Sequence, residues 1–339
     1  MSKKSINLAL QGGGSHGAFT WGVLDYLMED GRINVQGISG TSAGAMNAVV
    51  FTQGFMEGGA EGARESLKNF WCKISNLSMF SPIKRSPLGI LTGSWDISGS
   101  PAYAMMDFMS RVASPYETNP FKFNPLRELV ESTIDFEKIR ACKDIELFIA
   151  ATNVRSGKIK VFEGHELTAD MILASACLPT IYQAVEVDGI PYWDGGFSGN
   201  PPLFPLFQTT ESQDIVIVQV NPIERLEVPK TAREIQNRIN EISFNSSLLR
   251  ELRSIEFVHR LLKENKLDAD HYANILVHRI EATEKINPLS ASSKMNSEWS
   301  FLTHLRDIGR EAAKKFLDEH YENIGVESSL DLEHEIHWS

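Results

Sequence analysis

Cysteine is scarce in this chain: three in 339 residues, at Cys72, Cys142 and Cys177, with no pair at CxxC spacing. That scarcity excludes a disulfide framework and a structural zinc site, and it leaves buried free thiols in a reducing compartment as the expected reading. Long apolar runs are also missing. No stretch approaches the roughly 18 uncharged apolar residues that a membrane span needs, and the apolar run in the amino-terminal MSKKSINLALQGGG is too short for a signal peptide. A cytoplasmic protein is expected, with contact at a membrane surface and signal-independent secretion left open. Positive charge is in deficit, 33 basic against 44 acidic residues for a formal net charge of −11. No global field therefore attracts phosphate backbones, and nucleic acid is not an expected partner. Repeats and low-complexity tracts are absent, and no linker cleanly divides the chain. What the chain does have is a hydrophobic fraction of 42%, enough for the core of one large α/β domain.

Strand-like runs alternate with helix-like ones, the pattern of a mostly parallel sheet covered by helices. Ile6 to Leu10 reads as the first strand, and Phe19, Val23 and Leu27 recur at helical spacing up to a stop at Gly31. Val35 to Ser39 reads as a second strand, Ala43 to Thr52 as a second helix, and residues 61–74 as a third. Residues about 75–125 keep neither period and read as a cap-like insertion. Ile145 to Ala151 and Ile159 to Phe162 resume the strand pattern, residues 169–176 read as helical, and Ile215 to Val220 is an almost pure β-branched run. A long helix over about 231–266, a late strand over 274–280 and a final helix over 297–320 complete the reading. The expected organisation is one domain, residues 1–285, carrying a helical carboxyl-terminal extension over 286–339.

Two glycine-rich turns carry chemistry. Gly40-Thr41-Ser42-Ala43-Gly44 is a G-x-S-x-G pattern between a strand and a helix. Such an elbow holds a serine in a strained conformation with its hydroxyl projecting, and the flanking residues must be small for so tight a turn. The bland reading is an ordinary turn. Gln11-Gly12-Gly13-Gly14-Ser15-His16-Gly17 likewise joins a strand to a helix, and three consecutive glycines leave their amides uncovered as a nest for a negative charge, phosphate or oxyanion. Gly12, Gly14 and Gly17 also satisfy the dinucleotide fingerprint G-x-G-x-x-G. That rival reading lacks the acidic residue it needs after the second strand, because Glu29 and Asp30 fall at the end of the intervening helix.

A third motif selects between them. Tyr192-Trp193-Asp194-Gly195-Gly196 is followed by Asn200-Pro201-Pro202 and preceded by Leu173-Ala174-Ser175-Ala176-Cys177-Leu178-Pro179. In order and local sequence, from about residue 6 to residue 205, the set resembles the patatin-like phospholipases. The resemblance implies a three-layer α/β/α fold and an enzyme that cleaves fatty-acyl esters of phospholipids or lysophospholipids through an acyl-enzyme. Carboxylesterase or acyltransferase action is the nearer alternative, and a catalytically silent binding module the distant one. Ser42 would be the nucleophile and Asp194 the group that orients and deprotonates it. The amides of Gly12, Gly13 and Gly14, with that of Ala43, would hold the oxyanion; Gly40 and Gly44 would shape the elbow, and Gly195 and Gly196 the aspartate turn. No metal, cofactor or histidine belongs to that dyad. An aspartate of ordinary pKa, about 3.9, is a feeble base at neutral pH, so the site should desolvate it or lean on oxyanion stabilisation. One departure stands out: His16 occupies a position where the family commonly has arginine or lysine.

Other features carry two readings each. The segment Met79-Phe80-Ser81-Pro82-Ile83-Lys84-Arg85, with Leu88, Ile90, Leu91 and Trp95, mixes apolar and basic residues as an interfacial surface would, or as a cap packed on the core. Met105, Met106, Phe108 and Met109 could line an acyl pocket or bury a helix face. His259, His271, His278, His304, His320, His334 and His337 follow Asp194, the chain order of a conventional triad, and none is expected to serve.

Overall fold

A computed structural model describes residues 3–79, 81–225, 227–268 and 271–336. Its eight strands form a single mixed sheet: β1 (Lys4–Leu10), β2 (Ile33–Thr41), β3 (Glu146–Asn153), β4 (Ile159–Glu163), β5 (Val185–Val187), β6 (Ile190–Asp194), β7 (Asp214–Val218) and β8 (Leu276–Ile280). The strand order is β5-β6-β3-β2-β1-β7-β8, with β4 also on β3. The run β3-β2-β1-β7-β8 is parallel, whereas β4 and β6 are antiparallel to β3, and β5 to β6.

Alternation along the strands builds the layers. Ile6, Leu8 and Leu10 of β1 and Val216 and Val218 of β7 face one core, while Ala9, Ile215 and Ile217 face the other. A central parallel strand buried on both faces has no polar side to show, which is why residues 215–218 read as a pure apolar run. The first core is covered by α1 (Gly17–Asp30), α2 (Ala43–Ser78) and the Trp299–His320 helix. The second is covered by the Ala232–Lys263 helix through Leu248, Leu252 and Ile255. The fold is thus a three-layer α/β/α sandwich with a mostly parallel sheet.

The second and third helices read from the sequence are two arms of α2, which breaks at Gly58 (φ −151°) and Gly59 (φ 60°, ψ −144°). The return arm folds back on the first, and Trp71 Nε1 donates to Asn47 Oδ1 at 3.0 Å. The carboxyl-terminal helix is a full member of its layer. It crosses α1 so closely that a Cβ on Gly22 would strike the Arg306 carbonyl, and one on Gly309 the Phe19 carbonyl.

Residues 75–125, unreadable by period, hold short helices at Pro87–Leu91, Pro101–Val112 and Pro115–Thr118. Each starts at a Ser-Pro pair. Proline at the first helical position wastes no donor, and Ser86 and Ser100 accept hydrogen bonds from Gly89 and Tyr103. This strap is tied at one end to the carboxyl-terminal segment, by an Arg85–Glu298 ion pair of 2.6 Å and the Ser292 hydroxyl donating to Asp96. At the other end Gln183 Nε2 donates to the Asn119 carbonyl at 2.8 Å. The buried-face reading of its methionines does not hold: Met105, Phe108 and Met109 are exposed, because only Tyr103 of that helix reaches the interior. Leu88, Ile90 and Leu91 are exposed too, Trp95 packs against the core, and Phe80 lies outside the described residues. No helix among the described residues is long and apolar enough to cross a membrane.

Candidate active site

Sheet register brings the motifs together. Leu10 pairs with Gly40, Thr41 with Ala150, and Ala151 with Asp194. The glycine loop after β1, Ser42 after β2 and Asp194 at the end of β6 therefore emerge at one level of the sheet, beyond the carboxyl ends of the parallel strands, where open α/β sheets bind ligands. Asp194 reaches that level from an antiparallel strand. It does so because β6 is the return arm of a hairpin turning at Asp188 (φ 51°) and Gly189 (φ 73°).

Ser42 adopts φ 55° and ψ −121°, a backbone region that costs a non-glycine residue on the order of 1–3 kcal/mol. Its neighbours hold it there. The Ser42 amide donates to Ser175 Oγ at 2.9 Å, and its carbonyl accepts from Met46 at 3.1 Å, beginning α2. Gly44 lies against the carbonyls of Leu10 and Gln11, and a Cβ on Gly40 would come within 2.8 Å of the Gly44 oxygen. Ser42 stays half-buried and reachable, at the positive end of α2, whose first amide is that of Ala43.

Asp194 is 1% exposed. Its amide donates to the Cys177 carbonyl, its carbonyl accepts from Thr152 Oγ1, and its Oδ1 accepts from the Gly196 amide at 2.7 Å. Burial pushes its carboxyl up to about 6, and only the Gly196 amide and the Ser42 hydroxyl act to hold it down. The contact with Ser42 is loose: Oδ2 is fully enclosed and makes no hydrogen bond of ordinary geometry. Gly195 packs on the Ala150 carbonyl and Gly196 on the Phe244 ring, which fixes the turn beneath it.

The glycine loop packs directly on the elbow, where a Cβ on Gly12 would sit 2.7 Å from Ser42 Cβ. One expected oxyanion donor is otherwise engaged. The Gly12 amide donates to Asn200 Oδ1 at 2.7 Å, and a single N–H cannot serve both. Among the described residues the amides of Gly13 and Gly14 make no hydrogen bond, and Gly14 (φ +59°) is exposed. Sequence reading missed the polar network under this loop. Gln11 Oε1 accepts from the amides of Val220 and Asn221, while its Nε2 donates to Asn245 and to the Asn200 carbonyl. Asn221 Nδ2 donates to the Gly12 carbonyl at 2.6 Å, and Lys294 Nζ donates to Asn221 Oδ1 at 2.7 Å. Asn200-Pro201 and Gln11 stood inside the quoted motifs as a signal; Lys294 had none.

His16 is buried, with Nε2 against Ser293 Oγ at 2.8 Å. Burial first, then the charges of Lys294 and Arg225, push its pKa down to about 3, so it stays a neutral imidazole throughout the ordinary pH range. The later histidines lie elsewhere. His259 meets the Ile275 carbonyl, His271 pairs with Asp268 on the surface, His304 stacks on Trp95, and His337 lies outside the described residues. His278 stands between Asp214 Oδ1 and Ser329 Oγ, each 3.0 Å away, but Asp214 opens β7 at the far end of the sheet. Among the described residues no group of three or more His, Cys, Asp or Glu side chains could hold a metal ion.

A three-layer α/β/α sandwich that forces a serine into an elbow at the carboxyl edge of its sheet is the build of an α/β enzyme. The patatin-like phospholipase family matches residues 8–207, more than half of the sequence, and the chain belongs to that family. It is accordingly a hydrolase acting on ester bonds, of the lipase or phospholipase kind. The dinucleotide reading falls with this membership. Among curated proteins no sequence relative is found. Of solved structures, VipD from Legionella pneumophila is similar at 14% identity and a TM-score of 0.45, over 94% of this chain and 67% of VipD. The heterodimeric ExoU-SpcU complex from the type III secretion system of Pseudomonas aeruginosa is similar at 15% identity and 0.39, over 95% of this chain and 52% of that one. The chain thus spans about two thirds of the first and half of the second, and likenesses this distant carry no argument about its function.

Proposed function

We propose that the chain is a serine lipid acylhydrolase of phospholipase A or lysophospholipase type, working through Ser42 and Asp194. The observation that carries this reading is a half-exposed serine in a strained elbow beside a fully buried carboxylate lifted to about 6. At pH 7 such a carboxylate is ionised yet basic enough to take a proton, which an exposed aspartate is not. Ser42 Oγ attacks the ester carbonyl as its proton passes to Asp194. The oxyanion faces the amides of Gly13, Gly14 and Ala43 at the helix start. Asp194 returns the proton to the departing alcohol, leaving an acyl-serine. Water then attacks that ester, again giving its proton to Asp194, and the fatty acid leaves with Ser42 restored. The apolar strap surface, Leu88, Leu91, Phe121 and Phe123 exposed, supports contact with a lipid surface while the substrate is drawn from it.

The test is incubation with mixed phospholipids and lysophospholipids, with mass spectrometry of the products, beside Ser42→Ala. Fluorophosphonate should label the native chain at Ser42 alone, and Ser42→Ala should lose both labelling and fatty-acid release while keeping its circular dichroism. A folded Ser42→Ala with full activity refutes the reading.

A further inference from the structure

The carboxyl-terminal segment around residues 290–298 lies far outside the part of the chain that matches the family, yet it reaches the glycine loop at three points. The backbone carbonyl of Lys294 lies against Gly14, so closely that a Cβ there would strike it. Ser293 Oγ holds His16 Nε2 at 2.8 Å. The ammonium of Lys294 donates to Asn221 Oδ1 at 2.7 Å, and Asn221 Nδ2 passes the contact on to the Gly12 carbonyl at 2.6 Å. Part of Lys294 reaches solvent, but its charged end is turned inward onto Asn221, which is fully buried.

We propose that Lys294 is a positioning residue for ester cleavage: through Asn221 it locks the Gly12 carbonyl, and with it the backbone that carries the undonated amides of Gly13 and Gly14. The proposal rests on the Ser42 reading above. Its physical basis is direct. An oxyanion hole works when its donors are fixed before charge develops, because then nothing has to reorganise in the transition state. The Gly12–Gly13–Gly14 backbone has no side chains to fix it, so its geometry must come from what grips its carbonyls and its one engaged amide. Asn200 grips the amide from one side, and Asn221 grips the carbonyl from the other. The Asn221 amide is held in one orientation from both ends: its Nδ2 donates to the Gly12 carbonyl and, at 3.2 Å, to Gln11 Oε1, while the ammonium adds a charge-assisted bond to Oδ1 that ties it to the carboxyl-terminal segment. Burial, with the charges of Lys294 and Arg225 adding to it, keeps His16 neutral, so the loop has no cation from its own histidine. Burial lowers the pKa of Lys294; Glu241, paired with Arg225 at 2.6 Å, opposes that, and the Arg225 charge adds to it.

Lys294→Met keeps the length of the side chain and removes the charge. Measured with a short-chain ester, kcat is expected to fall about ten- to a hundredfold, short of the 10²–10³ lost with a direct oxyanion donor, with KM within about twofold. Lys294→Arg should recover most of that loss. Asn221→Leu should cost a similar factor, and the double variant Lys294→Met/Asn221→Leu no more than Asn221→Leu alone, since the two act in series. A folded Lys294→Met with kcat within twofold of native overturns the proposal, as does a change confined to KM or full additivity of the two substitutions. If Lys294→Met does not fold, Asn221→Leu decides: native kcat in that variant also overturns it. Ser42→Ala assayed alongside separates the failures. Activity surviving there sinks the dyad itself, whereas an inactive Ser42→Ala beside a fully active Lys294→Met sinks only the role of Lys294.

Discussion

Replacing Asp194 with asparagine should make the enzyme slower and sturdier at once. The carboxyl titrates at about 6 in the folded chain against 3.8 when exposed, a rise of about two units. At 1.36 kcal/mol per unit, keeping this group ionised in the fold costs about 3 kcal/mol. The sign follows from the raised value. The protonated acid is the form the fold accepts, so no cost applies below pH 3.8; the cost grows as pH rises and is complete above the folded pKa near 6. Asparagine keeps an oxygen for the Gly196 amide and carries no charge at any pH. With an unfolding entropy of about 2.1 cal/mol/K per residue, 3 kcal/mol in a chain of this length is about 4 °C in Tm. Asp194→Asn should thus melt up to about 4 °C above native at pH 8, with the difference shrinking towards nothing near pH 4. Over the same range native kcat/KM should fall with decreasing pH, reaching half its plateau near pH 6, and Asp194→Asn should lose at least about a hundredfold in kcat. Differential scanning calorimetry at pH 4, 6 and 8 and a pH–rate profile read both. A Tm difference that ignores pH would refute the raised carboxyl, and an unchanged kcat would refute its role as base.

Three further outcomes follow from the packing. Gly12→Ala places a methyl 2.7 Å from Ser42 Cβ and 2.9 Å from the Thr41 carbonyl, so kcat should drop about a hundredfold or more, and a nearly native rate would show that the loop does not press on the elbow. Ser175→Ala removes the acceptor of the Ser42 amide; unfolding titrations should show a loss of about 1–3 kcal/mol, with kcat down about tenfold, and a neutral result on both would deny Ser175 a part in holding the elbow. Leu91→Asp with Phe121→Asp alters the exposed strap without touching the core. Sedimentation with phosphatidylcholine vesicles should fall at least about fivefold while hydrolysis of a soluble ester stays within twofold, and unaltered vesicle binding would dismiss the strap as the lipid-facing surface.

What the sequence disclosed, and what it hid, follows from how far apart the interacting residues lie. The elbow was readable because its requirements are local: a serine, two small flanks, a strand before and a helix after. The central strands were readable because burial on both faces leaves an unbroken apolar run. The glycine loop was readable as a row of bare amides, but not which amide is already in use, since Asn200 acts on Gly12 from 188 residues away. Lys294 left no trace because its role exists only where the carboxyl-terminal segment folds against the loop. Other omissions were local signals passed over. Asp188-Gly189 is a hairpin turn and explains how Asp194 arrives antiparallel, and the Ser-Pro pairs at Ser86, Ser100 and Ser114 mark the helix starts in the strap. Gly58-Gly59 marks the fold-back within α2.

The placement of Asp194 on an edge hairpin has a thermal consequence. Ser42 leaves β2, which is gripped by β1 and β3 in the middle of the sheet, whereas β6 pairs with β3 over the shorter run Ala151 to Asn153, with the three-residue β5 beyond it at the margin. Serine and aspartate thus leave elements with unequal lengths of pairing, and the marginal hairpin is expected to open at lower cost than the centre of the sheet. On warming, turnover should therefore be lost before ellipticity changes, and amide hydrogens of residues 185–194 should exchange ahead of those in β1 and β2. With Asp194 as the base, the temperature ceiling for catalysis should be set by this hairpin rather than by the core.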